Sequence, residues 1–391
     1  MAGVSYVPIC YTAPVLTHES VGVGPPGGRL TLLPRGDPPQ NLRITRSFPT
    51  TMNDGTSFLA SARNDALALE ASINGVMIGQ AHAVRLILIA LLARGHVLLE
   101  GDVGVGKTTL LKAYARGVGG SFSRIEGAVD LAPNDLLYYT YLDETGAPRI
   151  AKGPLLAHGE DLSIFFFNEI NRARPQVHSV LLSIMAEGRL AAFNREFRFN
   201  YLTVFADRNR IEREETFELP AAARDRFMFE VSVAVPEDDD GRRRLLFDPR
   251  YYDGDALITA VPEDQLDVRD LRPLATEIQR AVHASPALED YALRLWAATR
   301  APQAVGIALP DTDPEALVAS GASPRAMAHL IRAARVLAWL EGRDHVRPDD
   351  VRELLVPALA HRVFLAPVYE LRRAGLIDAL FAAIAANVPA P

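Results

Sequence analysis

Residues 95–110 read GHVLLEGDVGVGKTTL. His96 to Leu99 is a short apolar run fit for a buried strand, and from Lys107 to Arg116 the pattern turns helical. Between them, Gly101-Asp102-Val103-Gly104-Val105-Gly106-Lys107-Thr108 fits G-x-x-x-x-G-K-[ST], with Thr109 following. A strand, a glycine-rich turn and a helix in that order make a phosphate cradle. Glycines let backbone N–H groups curl around phosphate oxygens, and the helix N-terminus adds positive potential. Lys107 is placed for the β- and γ-phosphates of ATP, and the Thr108 hydroxyl for Mg²⁺. A glycine-rich turn that merely caps a helix is the plainer alternative; the flanking strand and helix decide for nucleotide.

Upstream of the strand, Ala83, Leu86, Ile87, Ala90 and Leu91 recur at helical spacing, and Arg94-Gly95 ends that helix. Further strands are expected at Phe122–Ile125, Ile164–Phe167, Leu202–Phe205 and Met228–Val235. Ile164–Phe167 is apolar throughout, so it is buried on both faces. Strands alternating with helices imply an α/β core with a parallel sheet. Two hairpins interrupt it, LLYYTYLDETGAPRIAKG turning at Asp143 to Pro148 and EGRLAAFNREFRFN turning at Asn194-Arg195. Beyond Pro236 the strands stop and everything reads as helices, so the core is set at 57–236 and an all-α region at 237–391.

Residues 1–40 hold seven Pro and six Gly, about twice the whole-chain rate, and the first 56 residues read as an irregular extension. The 391 residues suffice for two or three domains at roughly 150 residues each. Hydrophobic residues at 49% and charged ones at 23% exclude a fibrous repeat, a mostly disordered chain and a disulfide scaffold. A net charge of −7 gives no global attraction to nucleic acid or anionic lipid. The lone Cys10 excludes a disulfide within the chain and suits a reducing, cytoplasmic setting. The apolar run Leu86–Ala93 is far short of the roughly 20 residues a membrane span needs.

A second chemical signal ends the buried strand Ile164–Phe167. It delivers Asn168 and Glu169 to the C-terminal edge of the sheet, where open α/β sheets bind ligands. The separation from Lys107, 169 − 107 = 62 residues, leaves room for one intervening strand and helix. Glu169 is then placed to orient or deprotonate a water attacking the γ-phosphate. The bland alternative is an acid capping the next helix, whose first turn holds Pro175.

At this point a resemblance becomes specific. GHVLLEGDVGVGKTTL, FFFNEINRARPQVHSVLLSIMAEG, FADRNRIEREETFELPAAARDRF and GASPRAMAHLIRAARVLAWLEGRDHVRPDDV occur in the order and spacing of MoxR-type AAA+ ATPases. The likeness runs from about Val76 to Val363. It implies an AAA+ core followed by a helical lid, with ATP and Mg²⁺ as cofactors and ATP held between the two parts. Ile78, Gly79 and Gln80 resemble the segment that contacts the base. Asn209 falls on the family's polar sensor of the γ-phosphate, and Arg226 on the arginine finger that reaches a neighbouring subunit. Arg325 falls on the lid-domain sensor arginine. The resemblance further implies a ring, typically a hexamer, a client protein and a partner with a von Willebrand A-type domain.

Departures from the family pattern bear on turnover. Asn168 stands where the family usually has Asp, losing a negative charge opposite Mg²⁺. Val103 replaces a common Pro, and Ala206-Asp207-Arg208-Asn209-Arg210 replaces the usual Thr and Pro around the sensor. ATP hydrolysis is therefore expected to be slow. Two alternatives stay open: a nucleotide-gated scaffold that barely hydrolyses ATP, and the ATPase subunit of a metal chelatase.

Overall fold

The structure, a computed structural model, describes residues 52–208 and 217–391. Helix α1 (Met52–Val76) begins within the last five residues of the stretch read as irregular; the rest of that stretch, with Cys10, and Asn209 lie outside the described residues. There follow α2 (Ala81–Leu92), β1 (His96–Glu100), α3 (Lys107–Gly117) and β2 (Ser121–Glu126). The first hairpin is β3 (Tyr138–Leu142) with β4 (Pro148–Lys152), and it leads into β5 (Leu162–Asn168) and α4 (Pro175–Glu187). The second hairpin is β6 (Arg189–Ala192) with β7 (Arg195–Arg198), followed by β8 (Thr203–Arg208), α5 (Ala221–Arg224) and β9 (Phe227–Ser232).

The five long strands form one parallel sheet in the order β2-β5-β8-β1-β9. Its registers include Phe166↔Phe205 and Phe167↔Ala206 between β5 and β8, and Leu99↔Asp207 between β1 and β8. Alternation then sorts the side chains. Leu99, Phe166, Phe205 and Val231 join the core beneath α1, α2 and α3. Leu98, Phe165, Phe167 and Ala206 pack on the other face, with Val177 and Leu181 of α4. The unbroken apolar run of β5 follows from this two-sided burial. Both hairpins form, the first turning from Asp143 as expected and the second turning at Phe193-Asn194, one residue before the expected Asn194-Arg195, with Arg195 already in β7. Asp143 Oδ1 accepts from the N–H groups of Thr145 at 2.9 Å and Ala147 at 3.0 Å, while Phe193 and Asn194 take φ of +51° and +57° between β6 and β7. Tyr138 of the first hairpin meets Phe193 of the second at a ring separation of 5.7 Å.

The C-terminal region is helical: α6 (Asp239–Phe247), α7 (Gly254–Ala260), α8 (Leu271–Ala281) and α9 (Pro286–Arg300), then α10 (Pro324–Leu340), α11 (Pro348–Leu359) and α12 (Arg373–Asn387). One correction to the all-helical expectation is small. β10 (Val318–Ser320) and β11 (Phe364–Leu365) pair antiparallel, closing the loop before α10 onto the segment after α11. Ser323 caps α10, its Oγ accepting from the Ala326 N–H at 3.1 Å, and Pro324 is the first helical residue. Met327, Leu330, Ala334, Leu337 and Ala338 line its buried face, and the helix packs on α11, α8, α2 and α1.

The seam between this region and the sheet is polar at its centre. The Phe227 carbonyl accepts from Arg362 and, at 3.1 Å, from His361 Nε2. Arg362 also donates to His329 Nδ1 at 2.7 Å. His96 Nδ1 accepts from the Val204 N–H at 3.0 Å, leaving Nε2–H to face the Met185 carbonyl at 3.3 Å.

Candidate functional site

The candidate phosphate loop fills the space between the end of β1 and the start of α3. Gly101 is dictated by a close approach, since a Cβ there would stand 2.1 Å from the Val233 carbonyl oxygen. Gly104 and Gly106 take φ of +82° and +89°, which only glycine adopts freely. Gly106 ends the loop as the N-cap of α3, and no side chain caps that helix. The N–H groups of Lys107, Thr108 and Thr109 are thus left for a ligand. Asp102, Val103 and Gly104 are exposed at the rim, while Val105 packs inward against the core.

Ile78, Gly79 and Gln80 lie alongside. The buried Gln80 amide donates to the Ala234 carbonyl, and Gly79 presses so closely on Pro236 that a Cβ would meet it at 2.8 Å. Met77 reaches to 3.2 Å from the Cβ position of Gly106, tying this segment to the loop.

Lys107 Nζ donates to the Gly101 carbonyl at 2.7 Å and pairs with Asp207 Oδ2 at 2.7 Å. The other oxygen, Oδ1, accepts the backbone N–H of Glu169. Asp207 is 1% exposed. Burial pushes its carboxyl above the ordinary aspartate range, outweighing the opposing pull of Lys107 and the Glu169 N–H. Asp207 thus joins the loop lysine to the candidate water-orienting glutamate. By sequence alone it stands out only as a departure from the sensor pattern. The available signal was an acid ending an otherwise apolar strand at the sheet's ligand-binding edge.

Asn168 is the last residue of β5. The register Phe167↔Ala206 places it next to Asp207, on the face that Phe166 and Phe205 share toward α3. Glu169 follows with φ +52°, a left-handed turn that costs a non-glycine residue about 1 kcal/mol or more. Its side chain is 16% exposed, and Arg172 Nη1 donates to Oε2 at 3.0 Å. The capping alternative fails on geometry: Arg174 is the N-cap of α4 and Pro175 its first residue. Among the described residues no cluster of three or more His, Cys, Asp and Glu is arranged to hold a metal by itself.

Arg226 and Arg325 are brought together, and away from the loop of their own chain. Arg325 Nη1 pairs with Asp225 Oδ2 at 2.8 Å, and Ser323 Oγ donates to Asp225 Oδ1 at 2.5 Å. Arg226 Nη1 donates to the Ala222 carbonyl at 2.8 Å. These residues precede Phe227, which pairs with His96 at the start of β1, whereas the loop follows Glu100 at its end. Five residues of strand, about 13 Å from first to last Cα, separate the two edges. The expectation of Arg325 at the chain's own γ-phosphate is not met, although α7 of the helical region does pack on α3 beside the loop, the Cβ position of Gly254 lying 3.5 Å from Thr109 Oγ1. Helix α10, which carries Arg325 in its first turn, packs on α11, α8, α2 and α1.

The geometry can be set beside known proteins. The ATPase family associated with various cellular activities (AAA) matches residues 96–229, and the AAA lid domain matches residues 311–377. Protein MoxR of Methylorubrum extorquens is 55% identical over 87% of this chain and 99% of its own length. Protein MoxR of Paracoccus denitrificans is 56% identical over 82% of this chain and 95% of its own. Chaperone MoxR1 of Mycobacterium tuberculosis is 38% identical over 75% of this chain and 74% of its own. A crystal structure of a Cytophaga hutchinsonii protein assigned as an ATPase aligns with a TM-score of 0.72 at 26% identity, covering 85% of this chain and 98% of that one.

Proposed function

Since the chain belongs to the MoxR-type AAA+ ATPases, we propose that it hydrolyses ATP with Mg²⁺ and uses the energy to remodel or mature a client protein. One observation carries this reading: Lys107 and Glu169 converge on Asp207 at the open N-terminus of α3. The loop N–H groups and Lys107 bind the phosphates, and Ile78, Gly79 and Gln80 flank the base. The Thr108 hydroxyl, with Asn168 nearby, would hold Mg²⁺, which when bound would offset phosphate charge. Glu169, kept in place by Arg172 and by Asp207 on its N–H, orients and deprotonates the attacking water.

Arg226 and Arg325 serve the nucleotide of a neighbouring copy, so the working form is a ring, proposed as a hexamer. The client reading is supported by the chaperone named among the relatives. Insertion of a metal or cofactor into that client, with a von Willebrand A-type partner, is the specific form we favour. Phosphate release by the purified full chain, with and without Mg²⁺, tests it; turnover abolished by Glu169→Gln is the expected result.

A second reading is favoured by Asn168. A neutral amide at the end of β5 suits a nucleotide-gated scaffold with little hydrolysis. Measurable Mg²⁺-dependent turnover excludes it.

A further inference from the structure

The carboxylate that β5 lacks stands on the adjacent strand. Asn168 ends β5 with an amide, and Asp207, next to it on β8, is a buried acid on the same face. A buried carboxylate is costly unless it is paired. The pairing comes from Lys107 at 2.7 Å and from the N–H of Glu169. Lys107, however, is the ammonium that bound phosphates claim. Once it turns to them, Asp207 is left as a buried negative charge beside a polyphosphate, a state that repels unless a cation stands there. The cation that travels with the nucleotide is Mg²⁺.

We propose that Asp207 is this chain's acidic partner for the nucleotide's Mg²⁺, doing from β8 what Asn168 cannot do from β5, and that it holds Lys107 before phosphates bind. The inference rests on the reading of the loop as an ATP–Mg²⁺ site. It makes Asn168 one half of an exchange: the charge has moved across one strand pair instead of being lost. It also explains why Asp207 sits where the sensor pattern has a neutral residue.

The test is calorimetric binding of a non-hydrolysable ATP analogue to the full chain, in excess Mg²⁺ and in a chelator. The quantity read is the ratio of the two affinities. Asp207→Asn keeps the shape and an acceptor for the Glu169 N–H, so it isolates the charge. The ratio should fall about tenfold, the size expected for a group outside the metal's direct ligands. Metal-free analogue should bind as well or better, because Lys107 is released and a repelling charge is gone. Adding Asn168→Asp to Asp207→Asn should restore the ratio.

An unchanged ratio in Asp207→Asn overturns the assignment, as does a parallel rise of both affinities, which would make Asp207 a latch on Lys107 alone. Failure of the double variant to restore the ratio overturns it too. If Asp207→Asn does not fold, the double variant, which keeps one carboxylate, decides alone: a wild-type ratio supports the proposal and a collapsed one refutes it. Wild type that binds no analogue in either condition refutes the phosphate-loop reading itself, and the role of Asp207 with it.

Discussion

Arg325 donates to Asp225 at 2.8 Å, and Asp225 immediately precedes Arg226. The two arginines therefore form one cluster at the edge of the sheet opposite the phosphate loop. A cation in the first turn of a helix, where Arg325 stands in α10, opposes the helix dipole. Asp225 offsets that charge in the single chain, and a neighbour's phosphates can offset it in a ring.

Mixing experiments follow from this placement. Arg226→Ala should lose turnover on the order of 10³-fold, the range seen for arginine fingers, while still binding ATP. Lys107→Ala should be inactive for lack of nucleotide. Mixed in equal amounts, the two should regain turnover, because an intact loop then meets an intact finger at some interfaces. No recovery in assembled mixtures would place Arg226 at its own chain's nucleotide.

Lys107→Ala should also cost stability. Removing one partner of a buried pair leaves the other unsatisfied, a loss of about 3 kcal/mol. Nucleotide affinity should fall beyond measurement by calorimetry. Adding Asp207→Asn should return the melting temperature toward wild type without returning ATP binding. A Lys107→Ala protein of unchanged Tm would mean that the ion pair carries no net stability.

Glu169→Gln should leave ATP bound and stop turnover, because the amide cannot take the water's proton. Gln keeps the length of the side chain and leaves the Glu169 N–H on Asp207, so Tm should move little. Single-turnover phosphate release separates this from slow product release; residual chemistry at the wild-type rate would remove Glu169 from the proton transfer.

What was legible in the sequence is what local patterns encode. The phosphate loop is written in glycines whose φ values the structure requires, and the FFF run announces two-sided burial. The hairpins are written in Asp143 and Asn194. The position of the helical region was not legible, because helix periodicity tells which face of α10 is buried but not against what. Arg325 was accordingly expected over the chain's own nucleotide. Asp207 was passed over for a related reason: its contact with Lys107 spans 100 residues and two strands, 207 − 107, and is fixed by strand order alone.

Acid should loosen the seam between sheet and helical region. Burial, followed by the nearby arginine charges, holds His329 at about 2, and burial holds His96 at about 4, both below the ordinary value of 6.5. His361 is likewise pushed down, by burial and then by Arg362. In each case the native histidine stays neutral while the unfolded one takes a proton below about pH 6.5. Stability from these groups is complete above that pH and is lost as pH falls toward 4 and beyond. The loss at pH 5 is on the order of 1–2 kcal/mol per histidine. His96→Gln, which cannot titrate, should flatten the fall in denaturant-measured stability between pH 6.5 and 4. An equal slope in wild type and variant would show that His96 is already charged in the native protein.

The last prediction concerns Asn168→Asp. If the amide left a charge deficit at the metal, restoring the acid would lower the half-saturating Mg²⁺ for turnover about tenfold, or about 1.4 kcal/mol. With Asp207 already facing the ion from β8, most of that deficit is met. The gain should then be nearer threefold, about 0.7 kcal/mol. The added carboxylate also stands beside Asp207 and Glu169, three acids within one turn of chain and one strand spacing. Without metal they repel, so the melting temperature in chelator should drop below wild type and recover when Mg²⁺ and nucleotide are added. Wild type should show less of this metal-dependent recovery, since it has one acid fewer to neutralise. The two readouts pull apart the competing accounts. A small gain in Mg²⁺ affinity with a clear loss of metal-free stability fits a charge that has moved to Asp207. A full tenfold gain with no loss of stability would mean that Asp207 stays on Lys107 throughout and that Asn168 alone limits the metal.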